Sequence, residues 1–150
     1  MKKIELYTDG ACRGNPGVGG WGAILVYNGS EKELSGGEAQ TTNNRMELTA
    51  VIEGLSAIHE SCEVKVYSDS KYFIDAIEKG WVYSWRKNNW IKSDKKPALN
   101  PDLWEKLLEL LDKHKVSLVW VRGHNGHEYN ERCDVLATSY ADKIKFNIED

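Results

Sequence analysis

The sequence predicts an α/β fold in which helices cover a mixed five-stranded sheet. Three strand-like segments open the chain, helix and strand patterns alternate after them, and no repeat or linker divides the 150 residues. A content of 41% hydrophobic and 29% charged residues is typical of a globular domain with a real core. We therefore expect one domain over residues 1–142, followed by a polar tail over residues 143–150.

The first three predicted elements are strands. Period-two alternation marks Lys3 to Thr8, an apolar run marks Ala23 to Tyr27, and a third strand covers Lys32 to Ser35. Asn28-Gly29 separates the second strand from the third, and this dipeptide favours a tight hairpin. We therefore expect these two strands to pair.

Helices and strands alternate in the remainder of the chain. Apolar residues at helical spacing predict a helix from Arg45 to His59. The elements expected after it are a strand from Glu63 to Ser68, a short helix from Ser70 to Glu78, a helix that begins at Pro101, a strand from Val116 to Val121, and a final helix that includes Cys133 to Tyr140.

Several classes of protein are excluded by composition. The first residues lack the continuous apolar stretch of a signal peptide, and no window is apolar enough to span a membrane. Cys12, Cys62 and Cys133 are odd in number and widely spaced, which argues against a disulfide framework and against a zinc site. We expect a cytoplasmic monomer with no membrane contact and no obligate protein partner.

The glycine-rich run Gly17 to Gly22 formally matches a dinucleotide-binding pattern, G-x-G-x-x-G. That pattern must open a helix, whereas these glycines lead into a predicted strand and a hairpin turn. We therefore interpret the run as a turn that lets backbone approach a substrate.

Charge is unevenly distributed along the chain. The net charge is −3, which by itself argues against a nucleic-acid partner. The segment Lys79 to Lys96 contains six basic residues and one acid, hence +5, so the rest of the chain carries −8. Trp81, Trp85 and Trp90 lie in the same segment, and basic side chains interleaved with aromatics suit a nucleic-acid backbone. The alternative is an amphipathic helix with buried tryptophans and solvated lysines.

Two aspartates follow similar strand patterns. Asp9 closes the predicted first strand, and Asp69 closes the strand from Glu63. If the two strands are parallel neighbours, both carboxylates emerge at the same end of the sheet, where open α/β folds bind ligands. Each aspartate taken alone is also an ordinary turn or helix cap.

Glu47 and Asp134 can join this pair, although each has a simpler interpretation. Glu47 fits a capping box at a helix start, and Asp134 can pair with Arg132 or a nearby lysine. Four carboxylates ~4 Å apart would repel by roughly 4 kcal/mol per pair at an effective dielectric constant near 20, so the cluster requires cations. Ligands that are all oxygen favour Mg²⁺ or Mn²⁺ over zinc.

The motifs resemble, in order and spacing, those of bacterial ribonuclease HI, of the type 1 ribonuclease H family. The motifs that carry the resemblance span nearly the whole chain: Thr8-Asp9-Gly10-Ala11-Cys12, Gly14-Asn15-Pro16-Gly17, Thr41-Thr42-Asn43-Asn44-Arg45-Met46-Glu47-Leu48, Ser68-Asp69-Ser70, Gly123-His124-Asn125-Gly126-His127 and Glu131-Arg132-Cys133-Asp134. The resemblance implies a ribonuclease H-like fold with helices on both faces of the sheet. It also implies an endonuclease that hydrolyses the RNA strand of RNA/DNA hybrids and leaves 5′-phosphate and 3′-hydroxyl ends.

The resemblance assigns roles to residues of this chain. Asp9, Glu47, Asp69 and Asp134 would hold two Mg²⁺ ions, with Mn²⁺ as a possible substitute, and His124 would assist proton transfer or product release. Substrate contacts would come from Cys12, Asn15, Thr42, Asn43, Asn44, Lys71, Trp81, Lys87 and Trp104. Lys71 departs from the family, which often has glutamine there, and Trp104 also fits a core position beside Leu103 and Leu107.

Other functional classes remain open at this stage. A catalytically inert hybrid-binding module would keep the basic segment but does not need the four acids. A nuclease of related fold could use the same acids on other nucleic acids. A metal-dependent phosphatase for small molecules would leave the basic, tryptophan-rich segment unexplained.

Overall fold

Five strands and five helices follow one another in the described part of the chain, residues 1–122 and 127–149 of a computed structural model. The strands are β1 (Lys3–Arg13), β2 (Gly17–Tyr27), β3 (Ser30–Thr41), β4 (Glu63–Ser68) and β5 (Lys115–Trp120). The helices are α1 (Asn43–Ser56), α2 (Lys71–Glu78), α3 (Trp81–Lys87), α4 (Pro101–Lys113) and α5 (Glu128–Glu149).

The strands form one mixed sheet in the order β3-β2-β1-β4-β5. The first three strands pair antiparallel, whereas β4 is parallel to both β1 and β5. Parallel neighbours need long crossover connections, which α1 supplies before β4 and α2 to α4 supply before β5. The predicted mixed five-stranded sheet is confirmed.

The antiparallel strands are longer than their sequence patterns predict. The hairpin turn lies at Asn28 and Gly29, whose φ angles of 48° and 81° are both positive, as a two-residue hairpin requires. β1 runs on past Asp9 to Arg13, so the prediction that Asp9 closes this strand is wrong. The reason is that residues 9–13 pair with residues 18–22 of β2, a glycine-rich partner that shows no apolar alternation. This run is strand, which excludes the dinucleotide-binding interpretation and also shows that our interpretation of the run as a turn is wrong.

Helices lie on both faces of the sheet because glycines allow close packing there. Leu6 of β1 packs against Gly54 of α1, where an added Cβ would lie 2.5 Å from the Leu6 side chain. On the opposite face, a Cβ at Gly22 of β2 would lie 2.5 Å from the carbonyl oxygen of Cys133, and one at Gly20 would clash with the carbonyl oxygen of Ala137. The predicted placement of helices on both faces is confirmed.

The main core lies between the sheet and the α1 side. Leu48, Val51 and Leu55 of α1 are fully buried together with Val64 and Val66 of β4. Helix α4 joins this core through Trp104 and Leu107, both with no exposed surface. The helix that was expected from Pro101 therefore covers β4 and β5 from the same side as α1.

The end of the chain continues α5. Residues 143–149, expected as a polar tail, are helical, with Ile144 packed near Gly37 and with Phe146 and Ile148 exposed. The division of the chain at residue 142 stays a prediction. No described helix is long and apolar enough to cross a membrane, and the three cysteines are free thiols. The cytoplasmic location and the monomeric state also stay predictions.

Glycine at position 20 is expected to be required for stability. Gly20→Val should lower the free energy of unfolding by about 3 kcal/mol or more, because its side chain would push α5 off β2. Gly29→Ala is the matched control: nothing lies within 4 Å of its Cβ, and only the positive φ opposes it, at about 1 kcal/mol. Urea unfolding measures both. Equal losses for the two variants would contradict the packing account.

Candidate active site

Two aspartates lie side by side at one end of the sheet. β1 and β4 are parallel, and Tyr7 lies opposite Tyr67. Two residues further along each chain, Asp9 therefore lies next to Asp69. Carboxylate oxygens of Asp9, Glu47 and Asp69 all lie within 4.8 Å of one another. We call these three residues the acid triad. The two aspartates thus meet as expected, but at the carboxyl end of β4 alone, because Asp9 lies within β1 and not at its end.

Glu47 enters the triad from helix α1. The helix is capped by Thr42, whose side-chain oxygen accepts a hydrogen bond from the Arg45 backbone N–H at 3.2 Å. Glu47 therefore lies beyond the first turn, and its interpretation as a capping-box residue is wrong. The helix approaches β1 so closely that a Cβ at Gly10 would lie 2.5 Å from the Glu47 nitrogen. A glycine here lets the buried Glu47 carboxylate reach the sheet.

Burial makes the triad costly to ionise without a cation. Burial, followed by the charges of Asp69 and Asp134, raises the pKa of Asp9 to about 8. The pKa of Glu47 is raised well above its usual range, first by burial and then by the charges of Asp9 and Asp69. Glu47 Oε2 is buried and has no hydrogen-bond partner among the described residues. An unsatisfied buried oxygen beside two further carboxylates fits a hard divalent cation.

Asp134 lies next to the triad on α5, and its charge and hydrogen bond contribute to the raised pKa of Asp9. The start of α5 is held to the sheet by Arg132, which donates to Glu31 and Glu33 at 2.8 Å each. Tyr129, one turn earlier, stacks on Tyr7 of β1 with ring centroids 4.6 Å apart. These contacts fix the helix turn that carries Asp134.

Polar residues border the triad on the β2 side. The exposed Asn15 lies in the turn between β1 and β2, and its Oδ1 accepts a hydrogen bond from the Asn43 backbone N–H at 2.9 Å. This bond ties the turn to the start of α1, where Thr42, Asn43 and Asn44 follow one another. Cys12 is half-buried nearby, and its thiol donates to the Thr41 carbonyl at 3.5 Å. The structure thus gathers these predicted substrate residues along one border of the acids.

Comparison with known proteins identifies the family to which this fold and this group of acids belong. A family model described as RNase H matches residues 1–142. The chain belongs to the ribonuclease H family. The resemblance drawn from the motifs is therefore confirmed.

Named relatives support the same family over nearly the whole chain. A protein named Ribonuclease H from Erythrobacter litoralis (strain HTCC2594) is 59% identical over 142 residues, covering 95% of this chain and 98% of that relative. Another of that name, from Nitratidesulfovibrio vulgaris (strain DSM 19637 / Miyazaki F), is 60% identical over 141 residues, covering 94% and 90%. Membership in the ribonuclease H family makes this chain an endoribonuclease.

Solved structures share the fold. LC9-RNase H1, described as a type 1 RNase H with the type 2 active-site motif, matches with a TM-score of 0.85 at 32% identity, covering 95% of this chain and 74% of that one. LC11-RNase H1, solved in complex with RNA/DNA hybrid, matches with a TM-score of 0.67 at 25% identity, covering 93% and 97%.

The basic segment of this ribonuclease H, Lys79 to Lys96, begins with helix α3. Trp81 is 44% exposed with Lys79 Nζ 5.2 Å from its ring centroid, and Lys87 is exposed at the end of the helix. Trp85 and Trp90 are half-buried against the core. One tryptophan is therefore presented to solvent, and two are packed as an amphipathic helix predicts. Nucleic-acid binding by the segment stays a prediction.

Trp104 is a correction to the expected substrate contacts. Its side chain has no exposed surface, and its Nε1 donates to the Tyr72 hydroxyl at 3.0 Å. A direct contact with a substrate is excluded in this conformation because the ring packs inside the core. His124, expected to transfer protons, lies outside the described residues.

Some residues that shape the site had no predicted role. Arg45 binds Asp102 through both carboxylate oxygens, at 3.1 and 2.9 Å, and joins the start of α1 to the start of α4. Trp120 and Arg122 lie beside Lys71 at the end of β5. The position of Arg45 inside the Thr41–Leu48 motif could have indicated a role for this residue. The contact of Lys71 with Trp120 could not be predicted, because the two residues are far apart in the sequence.

Removing one acid is expected to stabilise the protein without metal. The folded-state pKa of Asp9 is raised, so its contribution to stability is present below pH ~4 and is lost as pH rises toward about 8. In chelator, the melting temperature of the parent protein should fall across this range, and Asp9→Asn should reduce that fall and melt higher at pH 8. Thermal melts with and without Mg²⁺ measure this, with exposed Asp112→Asn as the control. A less stable Asp9→Asn protein at pH 8 in chelator would refute the charge-repulsion account.

Proposed function

We propose that this chain is an endonuclease that hydrolyses the RNA strand of RNA/DNA hybrids with two divalent metal ions, leaving 5′-phosphate and 3′-hydroxyl ends. The observation that carries this proposal is the buried acid triad, which has the oxygen donors that Mg²⁺ prefers and an unsatisfied Glu47 oxygen. The hybrid-bound relative LC11-RNase H1 supports the choice of substrate.

Asp9, Glu47 and Asp69 are close enough to hold one ion together. Asp134, next to Asp9, would complete a second site in which Asp9 is shared. When bound, Mg²⁺, or Mn²⁺ in its place, would make water a better nucleophile and offset charge on the scissile phosphate. The protein's part is to hold its carboxylates in fixed positions before substrate arrives, which the close packing of Gly10 against α1 achieves.

The border of polar residues would select the substrate. Asn15, Asn43 and Asn44 can hydrogen-bond sugar hydroxyls and phosphates without adding charge, and Cys12 and Thr42 lie in the same border. Contacts to 2′-hydroxyl groups would distinguish the RNA strand from DNA with little dependence on base sequence. Trp81 and Lys87, on the basic segment, would bind the backbone of the DNA strand.

His124 completes the proposed machinery as the residue that moves a proton or promotes product release, a role suited to an ordinary histidine pKa near 6.5. We further propose a cytoplasmic monomer that needs no protein partner for cleavage.

The substrate and the central ligand are tested together by cleavage of end-labelled RNA/DNA hybrid, RNA duplex, DNA duplex and single-stranded RNA. We expect only the hybrid to be cut, only with Mg²⁺ or Mn²⁺, and Asp9→Asn to reduce kcat by at least about 10³-fold, because it weakens ligands shared by both ions. Asp112→Asn should cut at the parent rate. Equal cleavage of duplex DNA would show a different nuclease, and full activity of Asp9→Asn would overturn the role of the triad.

The basic segment is tested by salt dependence. Lys87→Ala should weaken hybrid binding for every base sequence and reduce the slope of log affinity against log salt by about 1, since one phosphate contact is lost. Fluorescence anisotropy in chelator measures the slope without cleavage. The control is Lys32→Ala on β3, at the end of the strand far from Thr41. An unchanged slope for Lys87→Ala would remove this residue from the interface.

A further inference from the structure

Two cations share one exposed indole at the end of β5. Trp120 is 37% exposed, and the centroid of one of its rings lies 4.6 Å from Lys71 Nζ and 5.0 Å from the guanidinium carbon of Arg122. We call these three residues the Trp120 cluster. Each such contact stabilises a cation by about 0.5–1 kcal/mol at an exposed position, so the indole holds both side chains in place.

Within residues 1–122 and 127–149, neither cation of the Trp120 cluster has an acidic partner. Other arginines near the triad are neutralised: Arg45 by Asp102, and Arg132 by Glu31 and Glu33. Among the residues that the structure describes, no ion pair involves Lys71 or Arg122. Two positive charges that are brought together and make no ion pair can both contact an anion.

The cluster lies directly beside the acid triad. Trp120 is paired with Ser68 of β4, and the Val121 backbone N–H donates to the Ser68 carbonyl at 2.8 Å. Asp69 follows Ser68, and Lys71 begins helix α2 two residues later. Because neighbouring strands are ~5 Å apart, the backbone that carries the cluster lies next to the backbone that carries Asp69.

The strand order places the cluster on the flank opposite the asparagines. β1 and β4, which bring Asp9 and Asp69, lie between β2 and β5 in the sheet. The turn with Asn15 borders the acids on the β2 side, and the Trp120 cluster borders them on the β5 side. A nucleic-acid strand that lies across the acids and contacts Asn15 on the β2 side would therefore contact the Trp120 cluster on the β5 side.

We propose that Lys71 and Arg122, held by Trp120, bind a backbone phosphate of the RNA strand next to the phosphate that is cleaved. This inference rests on the proposed function, because it takes the strand at the acid triad to be RNA. The arginine fork suits two phosphate oxygens, and the lysine adds a point charge.

Salt dependence of the reaction tests for a phosphate contact. At fixed Mg²⁺, the paired substitution Lys71→Ala with Arg122→Ala should raise KM for hybrid about 10-fold at low salt with less than a 3-fold change in kcat. It should also reduce the slope of log kcat/KM against log monovalent salt by about 1. Trp120→Leu should move KM in the same direction, and Trp120→Phe should restore it, because phenylalanine keeps an aromatic face. Lys115→Ala, at the opposite end of β5, is the matched control.

Substrates with one neutral methylphosphonate locate the contact. In the parent protein, neutralising one RNA-strand phosphate beside the cleaved bond should raise KM by a similar factor. The same substrate should cost the double variant nothing further, since the partner cations are gone. The proposal would be overturned if a methylphosphonate at each RNA-strand position raised KM as much in the double variant as in the parent protein. It would also be overturned if the rise in KM disappeared in the variant only for a methylphosphonate in the DNA strand.

Two further results would also overturn the inference. A double variant with an unchanged salt slope and tighter Mg²⁺ binding would show that the cations only offset the charge of the acids. A parent protein that cuts no hybrid would instead defeat the proposed function, which the substrate panel detects by itself. Fluorescence anisotropy with hybrid in chelator then still measures the effect of the two cations on binding. If the slope of log affinity against log salt is the same in the double variant as in the parent protein, the proposed phosphate contact is also wrong. Circular dichroism melts confirm that each variant is folded.

Discussion

Repulsion among the carboxylates that meet beside the carboxyl end of β4 is the constraint on which the site depends. Asp9 and Glu47 are buried, and their pKa values are raised first by that burial and then by neighbouring acids. A fold that holds such groups together without a cation gives up stability, and a divalent ion returns it. On the proposed function, the same arrangement that weakens the metal-free protein would prepare the carboxylates for an ion, because they would not have to be brought together when it binds.

Holding the acids against their repulsion requires rigid support from every side. Gly10 lets α1 approach β1, and the glycines of β2 let α5 lie directly on the sheet. Arg132, with its two glutamates on β3, and the stacked rings of Tyr7 and Tyr129 fix the start of α5. These contacts are made by strands and helices rather than by loops, so they keep the carboxylates within a narrow range of positions.

The distribution of charge accounts for a nucleic-acid enzyme with a net charge of −3. Negative charge is concentrated at the centre, where metal ions would offset it, and positive charge is carried by the flanks. The basic segment from Lys79 to Lys96 supplies one flank, and the Trp120 cluster supplies another at the end of β5. Uncharged donors such as Asn15 and Asn43 border the acids on the β2 side, so the polyanion can be oriented without one large basic surface.

The sequence by itself determined the order of the strands and of the described helices other than α3, the Asn28-Gly29 turn and the expectation that Asp9 and Asp69 lie together, because these follow from local periodicity, turn chemistry and short motifs. The predicted end of β1 and the capping-box role of Glu47 were wrong, since strand length depends on the glycine-rich partner and α1 already begins at Asn43. The sequence also could not place Trp104 inside the core or bring Trp120 over Lys71. Only the tertiary structure decided these, because burial and contacts between distant residues are set by how helices pack on the sheet.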